Sequence, residues 1–288
     1  MKAARSSSDR DSEAPPPAYE DAVGSDYAKN SLDDTKSSLD YARSASDYAS
    51  FTATSELDVQ AIGYDMNQAI MGRTLENIPV CRVGSGEAEY TSVRLKRDSN
   101  SCALVRASDP SQSALISTIY RFGPLRAPRI RVLPDGAGVS VEEAIKDEDV
   151  RGELVQVKSR SMVSRAQVFD TSLGKFEWRY GTGEEKAACG ADSLLVMERV
   201  DRVTLPDGSK TKSGARVAQL VRNDQLRTPG SVRYSGGNGG RLTMDLRMWD
   251  GEKSAGARGV EACVVASCIL MLKREADRFI DNHIAAVV

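Results

Sequence analysis

The chain of 288 residues holds a single histidine, His283. Ser/His/Asp and Cys/His catalysis would both have to use it. It stands in a polar C-terminal segment with neither a Gly-x-Ser-x-Gly elbow nor a partner motif. Metal sites built from His and Cys are as poorly supported. His283 is therefore read as a surface residue; no catalytic residue, metal or cofactor is expected, and a hydrolase using His283 is the rival reading. Cysteine is sparse too. Cys81, Cys102, Cys189, Cys263 and Cys268 are odd in number and widely spaced, with no CxxC pair. That suits a reduced, cytoplasmic protein better than a disulfide scaffold. The first residues lack an apolar core, so no secretory signal is expected. The net charge of −2 names no partner.

Long apolar runs are missing with one exception, Ala262 to Leu272, ACVVASCILML. It is uncharged, free of Gly and Pro, and broken only by Ser267. A helix apolar on every side has no face to give to water and must be enclosed. As a helix it spans only about 16 Å, whereas a bilayer core needs about 20 residues. Glu261 precedes it, and Lys273, Arg274, Glu275, Asp277 and Arg278 follow. The run is thus expected to be a central helix, at about residues 259–281, threaded through the fold rather than a transmembrane segment. Within it Cys263 and Cys268 act as small apolar groups.

Residues 1–60 have few large aliphatics and carry 6 Lys/Arg against 12 Asp/Glu, a charge of −6. Such a segment cannot bury enough surface to offset its ordering entropy and is expected to be a disordered acidic tail. It contains Pro16-Pro17-x-Tyr19, a PPxY word that resembles WW-domain ligands. Its prolines preset a polyproline II helix, Tyr19 gives a second anchor, and Glu20 and Asp21 would steer it to a basic rim. Asp-Tyr-Ala recurs at Asp26, Asp40 and Asp47; low-complexity drift is the preferred account over a kinase signal.

The body, which starts near Leu57 and whose barrel domain is set at residues 61–288, is rich in alternating segments. Strands are predicted over 78–83, 90–97, 101–106, 114–122, 129–133, 153–158, 164–169, 175–180, 193–200, 215–222 and 241–249. In Val93-Arg94-Leu95-Lys96 the alternation marks a half-buried strand. Turn chemistry such as Pro134-Asp135-Gly136 and Pro206-Asp207-Gly208 separates the strands. Ser140 and Glu143 form a capping box that predicts a helix over 140–149. Phe176, Trp178 and Tyr180 share one face and are expected to line the core. Gly236 to Gly240 are read as a flexible hairpin rather than a phosphate loop, because a strand follows them. Many meandering strands with one enclosed helix predict a mostly β fold, a closed antiparallel barrel around the helix.

Several words resemble a family. They are Tyr120-Arg121-Phe122-Gly123-Pro124, Lys175 to Gly181, Ala191 to Val196, Arg216 to Arg222, Arg227-Thr228-Pro229-Gly230, Gly239 to Leu242 and Val264 to Cys268. Together, over roughly residues 111–280, they are similar to a family of uncharacterised fungal proteins. That family is associated with the tubby C-terminal-like superfamily, which also holds the LURP-one-related proteins and the phospholipid scramblases. The resemblance implies a barrel of about twelve strands around a hydrophobic helix. Tubby proteins bind a phosphoinositide through basic residues, but no motif here carries those positions over, and this chain continues past the helix.

Two functions are carried forward. The first is a non-enzymatic intracellular adaptor whose Pro16, Pro17 and Tyr19 recruit a WW-domain protein, a HECT-type ubiquitin ligase by resemblance to other PPxY adaptors. The second is a module of the membrane surface in which Arg121, Arg126, Arg129 and Arg131 hold a phosphoinositide or other anionic lipid headgroup. Arg129 and Arg131 are two apart and would share a strand face. Nucleic acid is not an expected partner, since the body is only mildly basic and aromatics do not interleave with this patch.

Overall fold

A computed structural model describes residues 51–65, 76–96, 99–120, 127–146, 151–160, 164–204, 210–249 and 255–287. The chain divides into two units, Met1–Ser46 and Asp47–Val288, and every described residue belongs to the second.

Twelve antiparallel strands form a closed barrel in which each strand pairs with the next: β1 Ser55–Val59, β2 Ile78–Arg82, β3 Ala88–Val93, β4 Cys102–Arg106, β5 Ala114–Ile119, β6 Arg129–Val132, β7 Glu153–Ser159, β8 Gln167–Thr171, β9 Gly174–Tyr180, β10 Ser193–Thr204, β11 Lys210–Arg222 and β12 Gly240–Met244. Pairing of β12 with β1, with Leu57 opposite Leu242, closes the ring. Closure leaves no sheet edge exposed. Among the described residues, two short helices, α1 Val141–Ala144 and α2 Gly183–Ala188, interrupt the meander, and α3 Ala255–Val287 ends it.

Helix α3 occupies the middle of the barrel. Its residues from Val260 to Leu272 are buried except half-buried Cys263, and they share one apolar cluster with inward side chains from all twelve strands. Leu57, Val80, Tyr90, Leu104, Ile116 and Ile130 come from one half of the ring; Val157, Phe169, Trp178, Leu195, Leu220 and Met244 come from the other. The one polar side chain of the apolar run is answered from the wall: Trp178 Nε1 donates to Ser267 Oγ at 2.9 Å, and Ser267 donates to the Val264 carbonyl at 3.1 Å. Phe176 and Trp178 are buried in the core and Tyr180 packs at its margin. No helix among the described residues is long and apolar enough to cross a membrane.

Outward-facing positions are covered in two places. Ala103, Val105 and Ala114 meet Val141 and Ala144 of α1, while Leu194, Val196 and Val221 meet Cys189, Ala191 and Leu226 after α2. Both helices open with a reciprocal capping box, in which the side chains of the cap residue and of the third helical residue each accept from the other's backbone N–H. Ser140 is paired in this way with Glu143, and Thr182 with Glu185.

The differences from the sequence reading have local causes. The barrel begins at Ser55, ahead of residue 61, because Leu57 and Val59 point inward from a short strand of otherwise polar composition. Strand β3 stops at Val93, and the alternation after it is inverted: Arg94 is buried and Leu95 is 42% exposed. Arg94 Nε donates to the carbonyls of Lys96 and Ser99, at 3.0 and 2.7 Å, which turns its guanidinium inward. The strand expected over 241–249 ends at Met244 and gives way to a 3-10 turn, Arg247–Trp249, where the Asp245 carboxylate accepts from the Arg247 backbone. Helix α3 runs past both expected ends, so His283 lies within it rather than after it.

The glycine stretch is a packing device, not a flexible hairpin. A Cβ on Gly236 would lie 2.5 Å from Phe279 Cβ, and one on Gly237 would lie 2.3 Å from the Leu272 carbonyl oxygen. Gly237 also has φ +79°, a conformation that disfavours any side chain. Absent side chains let this loop lie directly against α3 as the helix leaves the barrel.

Candidate functional site

Pro16, Pro17 and Tyr19 lie outside the described residues, as do Arg121 and Arg126. Of the basic set, the structure places Arg129 and Arg131 on the outer face of β6, since Ile130 between them points into the core. They do not present equal faces to water. Arg129 is half-buried, whereas Arg131 is only 4% exposed beneath α1. Arg131 donates to the carbonyl oxygens of Lys146 at 3.0 Å and Ala144 at 3.5 Å. Carbonyls at a helix C-terminus lack intrahelical partners and favour a cation. Arg131 is thus committed to holding α1 on the barrel.

The polar residues flanking the apolar run form two collars. At the N-terminal end, Glu261 accepts from Ser55 Oγ at 2.7 Å, Tyr90 Oη at 2.9 Å and both terminal nitrogens of Arg82 at 3.2 and 3.0 Å. Arg82 also pairs with Glu89 at 3.2 Å, which pairs in turn with Arg106. Burial alone would raise the Glu261 carboxyl; the hydrogen bonds from Arg82, Ser55 and Tyr90 outweigh it and hold the group below its ordinary value. Burial, reinforced by Glu261, pushes the Tyr90 phenol well above its ordinary range, so it stays a donor.

At the C-terminal end, Arg222 holds Glu275 in a bidentate pair at 2.6 and 2.9 Å. Its Nη1 also donates to the Asn238 backbone and side-chain oxygens, and its Nη2 to Ser193 Oγ. Glu275 is pushed up by burial and pulled below its ordinary value by Arg222. Two residues on, Asp277 accepts from Tyr120 and from Asn100 Nδ2, and Lys273 Nζ donates to the Asn100 carbonyl at 2.9 Å. Asn100, Lys273 and Asp277 border a small cavity of about 60 Å³ that is also lined by Glu76 and Arg94. Organic ligands occupy roughly 300–1,000 Å³, so this space takes little beyond water.

A third cluster lies outside the barrel. Glu185 of α2 pairs with Arg179 at 2.7 and 2.8 Å and with Arg216, and Arg179 also reaches Glu198. Burial opposes ionisation of Glu185, but the arginines and the Thr182 backbone hold its carboxyl down to about 2. This cluster fixes α2 to the wall.

All five cysteines are free thiols, and burial pushes Cys263 and Cys268 up to about 12. A thiol that resists ionisation is a packing group, not a nucleophile. Among the described residues, no three His, Cys, Asp or Glu side chains gather where they could hold a metal ion. Sequence reasoning had Glu261 and Glu275 only as the charged borders of the helix. Nothing in the pattern pointed to Arg82, Tyr90 or Arg222 as their partners, because each is a strand residue far away in the chain. Comparison with family models, curated proteins and solved structures finds no match to this chain.

Proposed function

We propose that the protein is a non-enzymatic intracellular adaptor with a tubby-like barrel, and that its N-terminal segment recruits a WW-domain protein, a HECT-type ubiquitin ligase by the chemistry of such words. The observation that carries this reading is Pro16-Pro17-x-Tyr19 followed by Glu20 and Asp21, within 60 residues of charge −6. The barrel supports it in one respect: its interior is filled by α3, so recognition falls to its rims, its outer surface and the segments attached to it. A single PPxY word binds at micromolar strength, about −8 kcal/mol. A peptide of residues 10–25 titrated into a panel of WW domains tests the reading. Tyr19→Ala should abolish binding while leaving the melting of the full chain unchanged. If no domain prefers the parent peptide to the Tyr19→Ala peptide, the adaptor reading fails.

The alternative is a module for phosphoinositide or other anionic lipids. It keeps one observation, that Arg129 and Arg131 share the outer face of β6. With Arg131 committed to α1, Arg129 together with Arg121 and Arg126 would have to carry the contact. Each basic side chain near an anionic leaflet is worth about 1 kcal/mol, so binding should be weak and lost at high salt. Absence of flotation with phosphoinositide vesicles at low salt would eliminate this alternative.

A further inference from the structure

We propose that the barrel mouth at the N-terminal end of α3 binds a single-chain anionic amphiphile, an apolar tail bearing a carboxylate or phosphate head. A cavity of about 460 Å³ opens there between β4–β6 and the helix. That size falls within the roughly 300–1,000 Å³ typical of small-ligand sites. Its apolar wall comes from Leu115, Ile116 and Val132 on the strands, from Leu133 just after β6 and from Ala262 on the helix. Its charged lining is Arg106 and Arg258 against a single acid, Asp135.

Two features of the chain keep this space open. The first is Gly259, one turn before Ala262 on the same helix face. Glycine inside a helix costs roughly 0.5–1 kcal/mol relative to alanine, so a reason for it is to be sought. At Gly236, Gly237 and Gly239 the reason is a backbone or side chain within 3 Å of where Cβ would be. Gly259 has no such neighbour: nothing lies within 4 Å of its Cβ position, and its φ is not in the left-handed region. The absent side chain faces free space. The second feature is a bulge in β5, where pairing passes from Ala114↔Val105 to Ile116↔Leu104 and leaves Leu115 as an additional residue. Bulges at barrel rims re-aim side chains, and here both Leu115 and Ile116 line the cavity.

The charges decide the head group. Arg258 is exposed and makes no ion pair among the described residues. Arg106 gives one nitrogen to Glu89 at 3.2 Å and stacks over the Tyr90 ring at 5.5 Å, which leaves most of its five donors uncommitted. Guanidinium groups match carboxylate and phosphate oxygens in planar pairs. A cationic head would meet two arginines against one acid, a net like charge, and a wholly polar anion would leave the apolar wall uncovered.

The site is independent of the tail reading and is tested on the full chain by calorimetric titration. The probes are dodecanoate, dodecyl phosphate and dodecyltrimethylammonium, each kept below its micelle threshold. At least one anion should bind the parent, and which one does so identifies the head group; the cation should bind about tenfold or more weakly. Gly259→Phe grows into the cavity from a position whose Cβ meets no atom within 4 Å, and should weaken anion binding by about tenfold or more without lowering the melting temperature. Arg258→Glu, a change at an exposed side chain, should do the same, which keeps the test valid if the bulky variant folds poorly. The proposal is overturned if neither anion binds, if the cation binds as well as the anions, or if Arg258→Glu retains the parent affinity.

Discussion

Replacing Arg222 by methionine separates a pair that is stabilising only as a pair. Arg222 has a side chain 4% exposed, and its partner Glu275 is 11% exposed. Removing one member of a buried pair leaves the other charged and unsolvated, a loss of about 3–5 kcal/mol. At roughly 2–4 °C per kcal/mol for a barrel of this size, the melting midpoint should fall by about 6–20 °C at pH 7. The pH dependence gives the sharper test. In the parent, Glu275 is held below its ordinary value. Its contribution is therefore fully present above the unfolded glutamate pKa and is lost as pH falls through the depressed folded one. In Arg222→Met the same carboxyl keeps its burial and loses its main cation, with the Tyr180 hydrogen bond and the Arg278 charge left to oppose burial, so its folded pKa should rise above the unfolded one. A raised carboxyl penalises folding at high pH, and the penalty is relieved as pH falls. The gap between parent and variant should thus shrink from pH 7 to pH 4.5 in urea unfolding followed by circular dichroism. Adding Glu275→Leu to Arg222→Met should recover most of the loss. A gap that stays constant across that range, or a double variant no better than the single, would refute the assignment of Arg222 and Glu275 as a buried charged pair.

Gly239→Ala should be destabilising by about 3 kcal/mol or more, because its Cβ would sit 1.8 Å from the Val59 carbonyl oxygen and neither backbone can retreat. Gly183→Ala, at the first residue of α2 with nothing within 4 Å, should instead be neutral or stabilising by up to about 1 kcal/mol, and equal effects for the two in urea unfolding would contradict the packing described. Val264→Asp buries an unpaired carboxylate at a fully enclosed helix position and should cost more than about 4 kcal/mol; a thermal midpoint unchanged from the parent would show that α3 is not enclosed.

What could be read from the sequence was what is periodic and local. The apolar run of α3 announces its burial by lacking any polar face, and the strands that alternate cleanly were found within a few residues of their ends. Strand β1 escaped because only Leu57 and Val59 of SELDV are apolar, too short a pattern to stand out beside an acidic segment. Helix α2 escaped although Thr182 and Glu185 spell a capping box, because the helix is only six residues long. The basic run of β6 was visible as charge, but whether Arg131 met water or a helix end depended on where α1 folded back, which no spacing in the chain records.

The collars show why that gap matters for the fold as well as the site. An apolar cylinder inside an apolar barrel has little to fix its rotation or its depth, since one turn of slippage exchanges one set of methyl contacts for another. Three polar anchors along α3 supply what the apolar contacts cannot. Glu261 must meet Arg82, Ser55 and Tyr90 at one mouth, Ser267 must meet Trp178 midway, and Glu275 must meet Arg222 at the other. A slip of one turn would leave all three buried polar groups without partners, each at a loss of about 1–3 kcal/mol and more for the charged ones. The register of the helix is therefore set by its few polar residues and its presence in the barrel by its many apolar ones. With that register fixed, Gly259 is held at the open mouth beside Arg106 and Arg258, and the cavity there keeps its shape.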